Sequence, residues 1–261
     1  MAQKYSGIYS IPVTPFNEDR SVDYKSLRSC IEFLVEKGSD GILLPVNVSE
    51  ASKLSDLERD SILSEAVNIV KNEIPIIAGV SGVSSEHVVE RSKYAEGLGI
   101  TSIMAMPPIS YSSKNQFVDF YSEISKNVEV DIWIQNNKPP AGPTINKDVL
   151  VEIINGIDRV NFLKEESDTP GQVMSFIHEK CKKNIQSIMG GAGGRFSIDE
   201  YRRGADGIMP SGHIVEAHKK LWLALTNSKR NKISNEAIEI SVSYTHLRAH
   251  ETREDRGWRR V

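Results

Sequence analysis

Eight short apolar segments, rich in isoleucine and valine, alternate along the chain with longer segments of helical periodicity. The apolar segments begin at Gly7, Gly41, Ile74, Ser102, Asp131, Val160, Ile185 and Gly207. The clearest helical segments are Tyr24 to Lys37, Asp56 to Lys71, Ser85 to Leu98, Lys114 to Asn127 and Lys147 to Asn155. Nearly continuous apolar strands separated by helices are typical of a parallel sheet covered on its outer face. Eight such units predict a closed (β/α)8 TIM barrel.

Three of the predicted helix-to-strand junctions resemble one another: LVEKGSDGILL, AEGLGITSIMA and RRGADGIMP. Each contains a glycine where the helical segment ends, and glycine readily adopts the left-handed conformation that terminates a helix. We therefore interpret the three junctions as copies of one repeated unit.

Composition narrows the class of partner. The chain has 261 residues with a formal net charge of −3, and no apolar run approaches the roughly 20 residues of a membrane span. These values favour neither nucleic-acid nor membrane binding, so a small-molecule partner is expected. Cys30 and Cys181 match no metal-ligand spacing, and the N-terminus lacks a signal peptide, which together predict free thiols, a cytoplasmic location and no bound metal.

The C-terminal segment differs from the rest of the chain. From Ser241 the composition becomes rich in arginine and histidine without helical or strand periodicity, and the run VSYTHLRAHET resembles a sequencing-library adaptor translated in frame. The sequence therefore predicts a barrel domain over residues 1–240, a non-native tail over 241–261, and truncation of any further C-terminal helices. A genuine basic tail is the alternative.

Polar and glycine-rich residues follow several of the predicted strands, where barrels of this type carry their active sites. They are Asn47, Val48, Ser49 and Glu50, Pro107-Pro108, Gln135-Asn136, Lys164, and the run Gly190-Gly191-Ala192-Gly193-Gly194. The loop at Asn47–Ser49 is expected to hold a substrate carboxylate, and the glycine run, including Gly190 and Gly191, to allow close approach of a ligand. An ordinary polar turn is the alternative for the first loop.

Lys164 ends an apolar strand, and the strand period of two places it on one face with Glu166, while Glu165 lies on the other. A neutral lysine amine is the nucleophile of Schiff-base enzymes. Burial would favour that neutral form, whereas the nearby Glu166 carboxylate would favour the ammonium. A lysine that merely extends to solvent at the strand end is the alternative.

The motif PVTPF, which begins at Pro12, is followed by the motif FLKE, which begins at Phe162. These motifs and their order resemble those of the dihydrodipicolinate synthase and N-acetylneuraminate lyase superfamily. The resemblance covers about Gly7 to Leu225. It implies a TIM barrel in which Lys164 forms a Schiff base with a 2-oxo acid, without a cofactor, and a homo-oligomer, commonly a tetramer.

The chain departs from that pattern at several positions. The family's Gly-Thr-Thr-Gly-Glu loop is Val46-Asn47-Val48-Ser49-Glu50 here, and its Tyr-Asn strand end is Gln135-Asn136. With the Met-Pro-Pro and Lys-Glu-Glu segments, these elements are similar to the branch that contains L-2-keto-3-deoxyarabonate dehydratase.

The resemblance to that branch implies a lyase in which Lys164, Glu166 and Gln135 are catalytic, while Asn47, Val48, Ser49, Asn136, Gly190 and Gly191 bind substrate. Dehydration of a 2-keto-3-deoxy sugar acid is the first hypothesis. A pyruvate-forming aldolase that uses Tyr111 or a bound water, and an inactive barrel that binds a 2-oxo acid, are the alternatives.

Overall fold

A computed structural model, which describes residues 5–243, shows eight parallel strands that form a closed barrel. Each strand pairs with the next one in the chain, and the eighth pairs with the first. The strands are β1 (Gly7–Ser10), β2 (Gly41–Leu44), β3 (Ile76–Gly79), β4 (Ser102–Ala105), β5 (Asp131–Asn136), β6 (Phe162–Glu165), β7 (Ser187–Gly190) and β8 (Gly207–Ile208). The predicted (β/α)8 barrel is therefore confirmed.

Helices surround the barrel and alternate with its strands. They are α1 (Tyr24–Glu36), α2 (Asp56–Val70), α3 (Ser85–Gly97), α4 (Lys114–Asn127), α5 (Lys147–Gly156), α6 (Pro170–Lys180), α7 (Ser197–Arg202) and α8 (Val215–Thr226). The first five begin at the residues that the sequence predicts. At α2 the hydroxyl of Ser55 accepts the Glu58 N–H, and the Glu58 carboxylate accepts the Ser55 N–H, which fixes the start of the helix.

The three similar junctions do contain glycines in the left-handed region. Gly38, Gly99 and Gly204 have φ values of 87°, 82° and 106°. A side chain at such a φ is strained, so glycine is the residue that lets the chain leave the helix and enter the next strand.

The buried apolar side chains form two groups, one inside the barrel and one between the strands and the helices, here called the lumen and the outer layer. Trp133 and Phe162 stack in the lumen with ring centroids 5.1 Å apart, and Tyr5 packs edge-on against both. The Trp133 indole also donates to the Ser102 hydroxyl at 3.0 Å. These aromatic rings fill the lumen two residues below Gln135 and Lys164, so a site can open only toward the carboxyl ends of the strands.

Residues 235–243 are helical, so this helix passes three residues beyond the predicted boundary at 240. The predicted domain boundary at residue 240 stays a prediction. The rest of the predicted tail, residues 244–261, lies outside the described residues, and the proposed origin of the tail stays a prediction. Within residues 5–243, no helix is both long enough and apolar enough to span a membrane. Cys30 and Cys181 are free thiols, as predicted.

Candidate functional site at the carboxyl end of the barrel

Lys164 and Glu166 form an ion pair at the end of β6. The Lys164 Nζ atom lies 3.1 Å from Glu166 Oε2, and the two side chains are 3% and 14% exposed. Their shared face, predicted from the strand period, is confirmed. Lys164 is thus a buried lysine whose Nζ atom is paired with a carboxylate at the carboxyl end of the barrel.

Three further donors hold the Glu166 carboxylate. Gln135 Nε2 donates to Oε2 at 3.0 Å, Asn137 Nδ2 approaches the same oxygen at 3.5 Å, and the Ala192 N–H donates to Oε1 at 2.8 Å. Burial raises the pKa of Glu166, but the charge of Lys164 and the hydrogen bonds from Ala192, Lys164 and Gln135 outweigh it and lower the pKa below the usual range. Glu166 is therefore an ionised, fixed carboxylate that faces the lysine.

Gln135 is placed beside the ion pair by the register of the sheet. It is the β5 partner of Lys164, and both follow the same alternation as the lumen residues Trp133 and Phe162. The predicted site residues Lys164, Glu166 and Gln135 are thus brought together on the lumen side.

Asn136 faces the other way. Its amide donates to Glu165 Oε2 at 2.7 Å, and its carbonyl oxygen accepts the Ile145 N–H at 2.8 Å. The second Glu165 oxygen accepts the Ser167 N–H at 2.7 Å. Asn136, predicted to bind substrate, therefore has its side chain in the outer layer, where it anchors Glu165 and the chain after β5.

The loop after β2 divides into one exposed and one buried part. Asn47 and Val48 are exposed, and Asn47 Nδ2 donates to the Ala141 carbonyl at 3.3 Å. The buried Ser49 hydroxyl donates to the Pro12 carbonyl at 2.8 Å, and its own carbonyl accepts the Thr14 hydroxyl at 2.7 Å. The Ser49 side chain thus joins the loop to the segment after β1, and Asn47 and Val48 form the exposed part of the loop.

Gly190 and Gly191 lie against carboxylates. A methyl group at Gly191 would overlap the Glu166 carboxylate, and one at Gly190 would overlap the carboxylate of Glu200 on α7. Both glycines therefore make room for acidic side chains of the protein itself. The sequence analysis missed Glu200, because burial of this residue depends on how α7 packs against β7.

Among residues 5–243, no group of three or more histidine, cysteine, aspartate or glutamate side chains is placed to hold a metal ion. The side chains that meet at the described site supply an amine, a carboxylate and amides.

The model of the dihydrodipicolinate synthetase family matches residues 4–234 of the chain, which include every strand and helix of the barrel. The chain belongs to this family. Members of the dihydrodipicolinate synthetase family are lyases, and the resemblance seen in the sequence motifs is thereby confirmed.

Curated relatives in the family differ in activity. The chain is 27% identical over 216 residues to L-2-keto-3-deoxyarabonate dehydratase of Azospirillum brasilense, covering 80% of this chain and 69% of the relative. It is 26% identical over 179 residues to 4-hydroxy-tetrahydrodipicolinate synthase of Lachnoclostridium phytofermentans, covering 68% and 60%. The chain thus spans about two thirds or less of these relatives' lengths, and such identities show the family rather than the reaction.

Solved structures support the same fold. The crystal structure of dihydrodipicolinate synthase from Rhodopseudomonas palustris superposes with a TM-score of 0.85 at 21% identity, covering 94% of this chain and 81% of the other. This likeness shows that the barrel is shared, whereas the side chains at the site are the chain's own.

Proposed function

We propose that this chain is a Schiff-base-forming lyase that dehydrates a 2-keto-3-deoxy sugar acid. The observation that carries the proposal is a pair of contacts at the carboxyl end of the barrel: Lys164 pairs with Glu166, and Gln135 donates to the same Glu166 oxygen. These residues supply an amine, a fixed base and an amide that does not titrate near neutral pH. This combination suits an elimination reaction.

The proposed reaction begins when the Lys164 ammonium loses a proton to water and the neutral amine attacks the C2 carbonyl. The hydroxyl of the resulting carbinolamine takes up a proton and leaves as water, which gives an iminium ion. The iminium acidifies C3, and Glu166 removes a C3 proton to give an enamine. The enamine expels the C4 hydroxyl, which takes the proton from Glu166 and departs as water. Hydrolysis of the imine releases the product and restores Lys164.

Gln135 favours dehydration over carbon–carbon cleavage. Retro-aldol cleavage needs a base that removes the proton of the C4 hydroxyl, and an amide cannot perform that step. Tyr111, the alternative base, packs its ring edge-on against Phe120 with centroids 6.1 Å apart. This contact places part of the Tyr111 ring against the outer layer and supports the dehydratase over the aldolase.

We further propose that the substrate carboxylate binds at the loop of Asn47 and Val48. Asn47 and Val48 are the exposed residues of this loop, whereas Ser49 is buried and turned toward Pro12. Successive backbone N–H groups in a turn bind anions well. In this arrangement Ser49 positions the loop, and Gly190 and Gly191 contribute by giving the acidic side chains room.

We further propose that the enzyme is cytoplasmic and uses no cofactor. We also propose that it forms a homo-oligomer, which is a tetramer in the intact family form. Light scattering coupled to size-exclusion chromatography measures the assembly state. A mass of about 29 kDa at all concentrations would contradict the oligomer without affecting the proposed chemistry.

Borohydride trapping tests the proposed chemistry. The protein is incubated with pyruvate or with 2-keto-3-deoxy-L-arabonate, reduced, and analysed by intact mass and peptide mapping. We expect an adduct on Lys164 with both compounds and none in Lys164→Ala. Lys138→Ala, which removes an exposed lysine paired with Asp168, is the matched control and should retain the adduct.

The products separate the reactions. A dehydratase consumes the pentonate without releasing pyruvate, so an assay coupled to lactate dehydrogenase should stay silent. Pyruvate release would favour the aldolase. A folded protein that binds 2-oxo acids without adduct or turnover would indicate the inactive barrel.

A further inference from the structure

Glu200 is a fully buried acidic residue that the proposed reaction does not use. Its side chain is 0% exposed, and within residues 5–243 neither carboxyl oxygen has a hydrogen-bond partner. An ionised carboxylate without partners is costly to bury, whereas a protonated carboxyl is tolerated far better. Burial of Glu200 without a partner therefore favours the protonated, neutral form of its side chain.

The sheet register places Glu200 beside Glu165. Glu165 is the β6 partner of Gly190, and the Glu200 carboxyl occupies the space that a side chain at Gly190 would take. Both Glu165 and the missing Gly190 side chain project into the outer layer, because Lys164 and Met189 face the lumen. Neighbouring strands lie about 4.8 Å apart, so the Glu165 side chain begins next to the position that the Glu200 carboxyl occupies, close enough for their charges to interact.

The two carboxyl groups differ in their hydrogen bonds. Both Glu165 oxygens accept, one from Asn136 and one from the Ser167 N–H. These donors favour the ionised form of Glu165, while Glu200 has none that would do so. Of the two residues, Glu165 is therefore ionised more readily, and Glu200 keeps its proton more readily.

We propose that Glu200 is a buried carboxylic acid that lies near the carboxylate of Glu165 without a hydrogen bond to it, and that its proton limits the negative charge around Lys164 and Glu166. Glu200 is in this sense a positioning residue, since it acts on the reacting groups through charge and without touching substrate.

The pKa directions agree with this assignment. Burial raises the pKa of Glu200 to about 8, and the carboxylates of Glu166, Glu165 and Asp199 contribute in the same direction. Burial also raises the pKa of Glu165, but its hydrogen bonds with Ser167 and Asn136 limit the value to about 7. As the pH rises, Glu200 thus keeps its proton to a higher pH than Glu165 does.

The charged groups around the two carboxyl groups come from three elements. Glu165 and Glu166 belong to β6 and its end, Asp199 lies on α7 with Glu200, and His218 of α8 approaches Gly194 from the same side. Most of these groups are acidic, so proton loss from Glu200 adds negative charge where it is already concentrated.

The functional consequence rests on the proposed function. Ionisation of Glu200 opposes binding of an anionic 2-oxo acid, and it stabilises the iminium cation over the neutral enamine. Both effects lower activity on the alkaline side. We expect activity to fall as the pH passes through about 8.

Unfolding equilibria test the proton without reference to activity. Glu200→Gln replaces the acid by a neutral group of the same shape. If Glu200 is protonated in the folded protein, unfolding releases that proton, whereas the glutamine variant has none to release. The unfolding constant of the native protein, divided by that of Glu200→Gln, should therefore rise by up to about tenfold per pH unit between about pH 5 and 8. A ratio that stays constant over this range would overturn the proposal. Glu200→Met serves if the glutamine variant does not fold.

Kinetics test the link to the site. Glu200→Gln is expected to keep kcat/KM at pH 7 within about threefold and to move its alkaline decline upward by at least one pH unit, whereas Asp199→Asn, which alters an exposed neighbour, should leave the decline in place. A decline that persists unchanged in Glu200→Gln overturns the link. Loss of activity in Glu200→Gln with retention in Glu200→Asp would show that the ionised form is needed.

The two proposals fail in distinguishable ways. If no Lys164 adduct forms at any pH, the proposed function fails, while the pH-dependent unfolding ratio still reports the proton on Glu200. If the adduct forms but the ratio is flat, the buried acid is rejected and the Schiff-base lyase stands.

Discussion

The carboxylate of Glu166 is held from two sides, by the Lys164 ammonium at 3.1 Å and by the Ala192 N–H at 2.8 Å. The two contacts come from the strand that carries Glu166 and from the glycine-rich run after β7. The position of the base is therefore fixed before any substrate arrives, as a proton transfer at C3 requires.

Glu166→Gln should separate imine formation from turnover. The amide can still occupy the space but cannot carry the C3 proton, so kcat should fall by about 10²–10⁴-fold while borohydride trapping on Lys164 persists. Asp168→Asn, an exposed carboxylate two residues away, is the control and should leave kcat unchanged. Full turnover in Glu166→Gln would remove Glu166 from the mechanism.

The acid side of the native pH profile carries a related prediction. Because the pKa of Glu166 lies below its usual range, the base stays ionised as the pH falls, and the acid decline should appear below the pH typical of a free glutamate. A profile of kcat/KM measures this, with stability checked at each pH. An acid decline near neutral pH would show that another group controls the base form.

Gly191→Ala should impair turnover more than folding. The added methyl group overlaps the Glu166 carboxylate, so the base must shift, and a displacement of about 1 Å can cost about 10²-fold in rate. Gly97→Ala is the matched control, since a methyl group there meets no described atom within 4 Å. Equal turnover in the two variants would contradict the close fit.

Local patterns predicted the fold and the core of the site. The period of two placed Lys164 and Glu166 on one face, and the structure brings them into contact because side chains alternate along any strand. The Ser55 capping box is a local feature of the same kind, since its two partners are three residues apart.

The remaining features depend on distant residues and could not be predicted. Ser49 turns toward Pro12, which lies 37 residues earlier, and the Ala192 N–H reaches back 26 residues to Glu166. Asp199 and Glu200 are adjacent acidic residues, and only the packing of α7 on Gly190 shows which one is buried. Register and helix packing, rather than local propensity, determine these contacts.

Arg59 holds the loop after β2 from beneath. This 3% exposed residue of α2 donates to the Gly79 carbonyl at 2.7 Å and to the Ala51 carbonyl at 3.3 Å, and burial lowers its pKa to about 10. Arg59→Met leaves both carbonyls without this donor and should cost about 1–3 kcal/mol in urea unfolding. Because Ala51 follows the proposed carboxylate loop, KM should rise more than kcat falls.

The control for that variant is Arg28→Met. Arg28 forms an exposed pair with Glu65, and its replacement should change the unfolding free energy by no more than about 0.5 kcal/mol. A similar loss in both variants would indicate a general effect of charge removal, and an unchanged KM in Arg59→Met would disconnect Arg59 from the loop.

Asn136→Asp should destabilise the protein in a pH-dependent way. The new carboxyl would lie where the amide now donates to Glu165 at 2.7 Å, in a position without solvent exposure. Burial and the neighbouring charge raise the pKa of such an acid in the folded state. The folded protein then keeps a proton that the unfolded chain releases, so the unfolding free energy should fall by about 1.4 kcal/mol per pH unit above about pH 4.

Urea unfolding at pH 5 and pH 8 measures this slope. The control is Asn155→Asp, at an exposed site where no slope is expected. A loss of stability that is equal at both pH values would mean that the donated hydrogen bond alone, and not the burial of a second carboxylate beside Glu165, accounts for the effect.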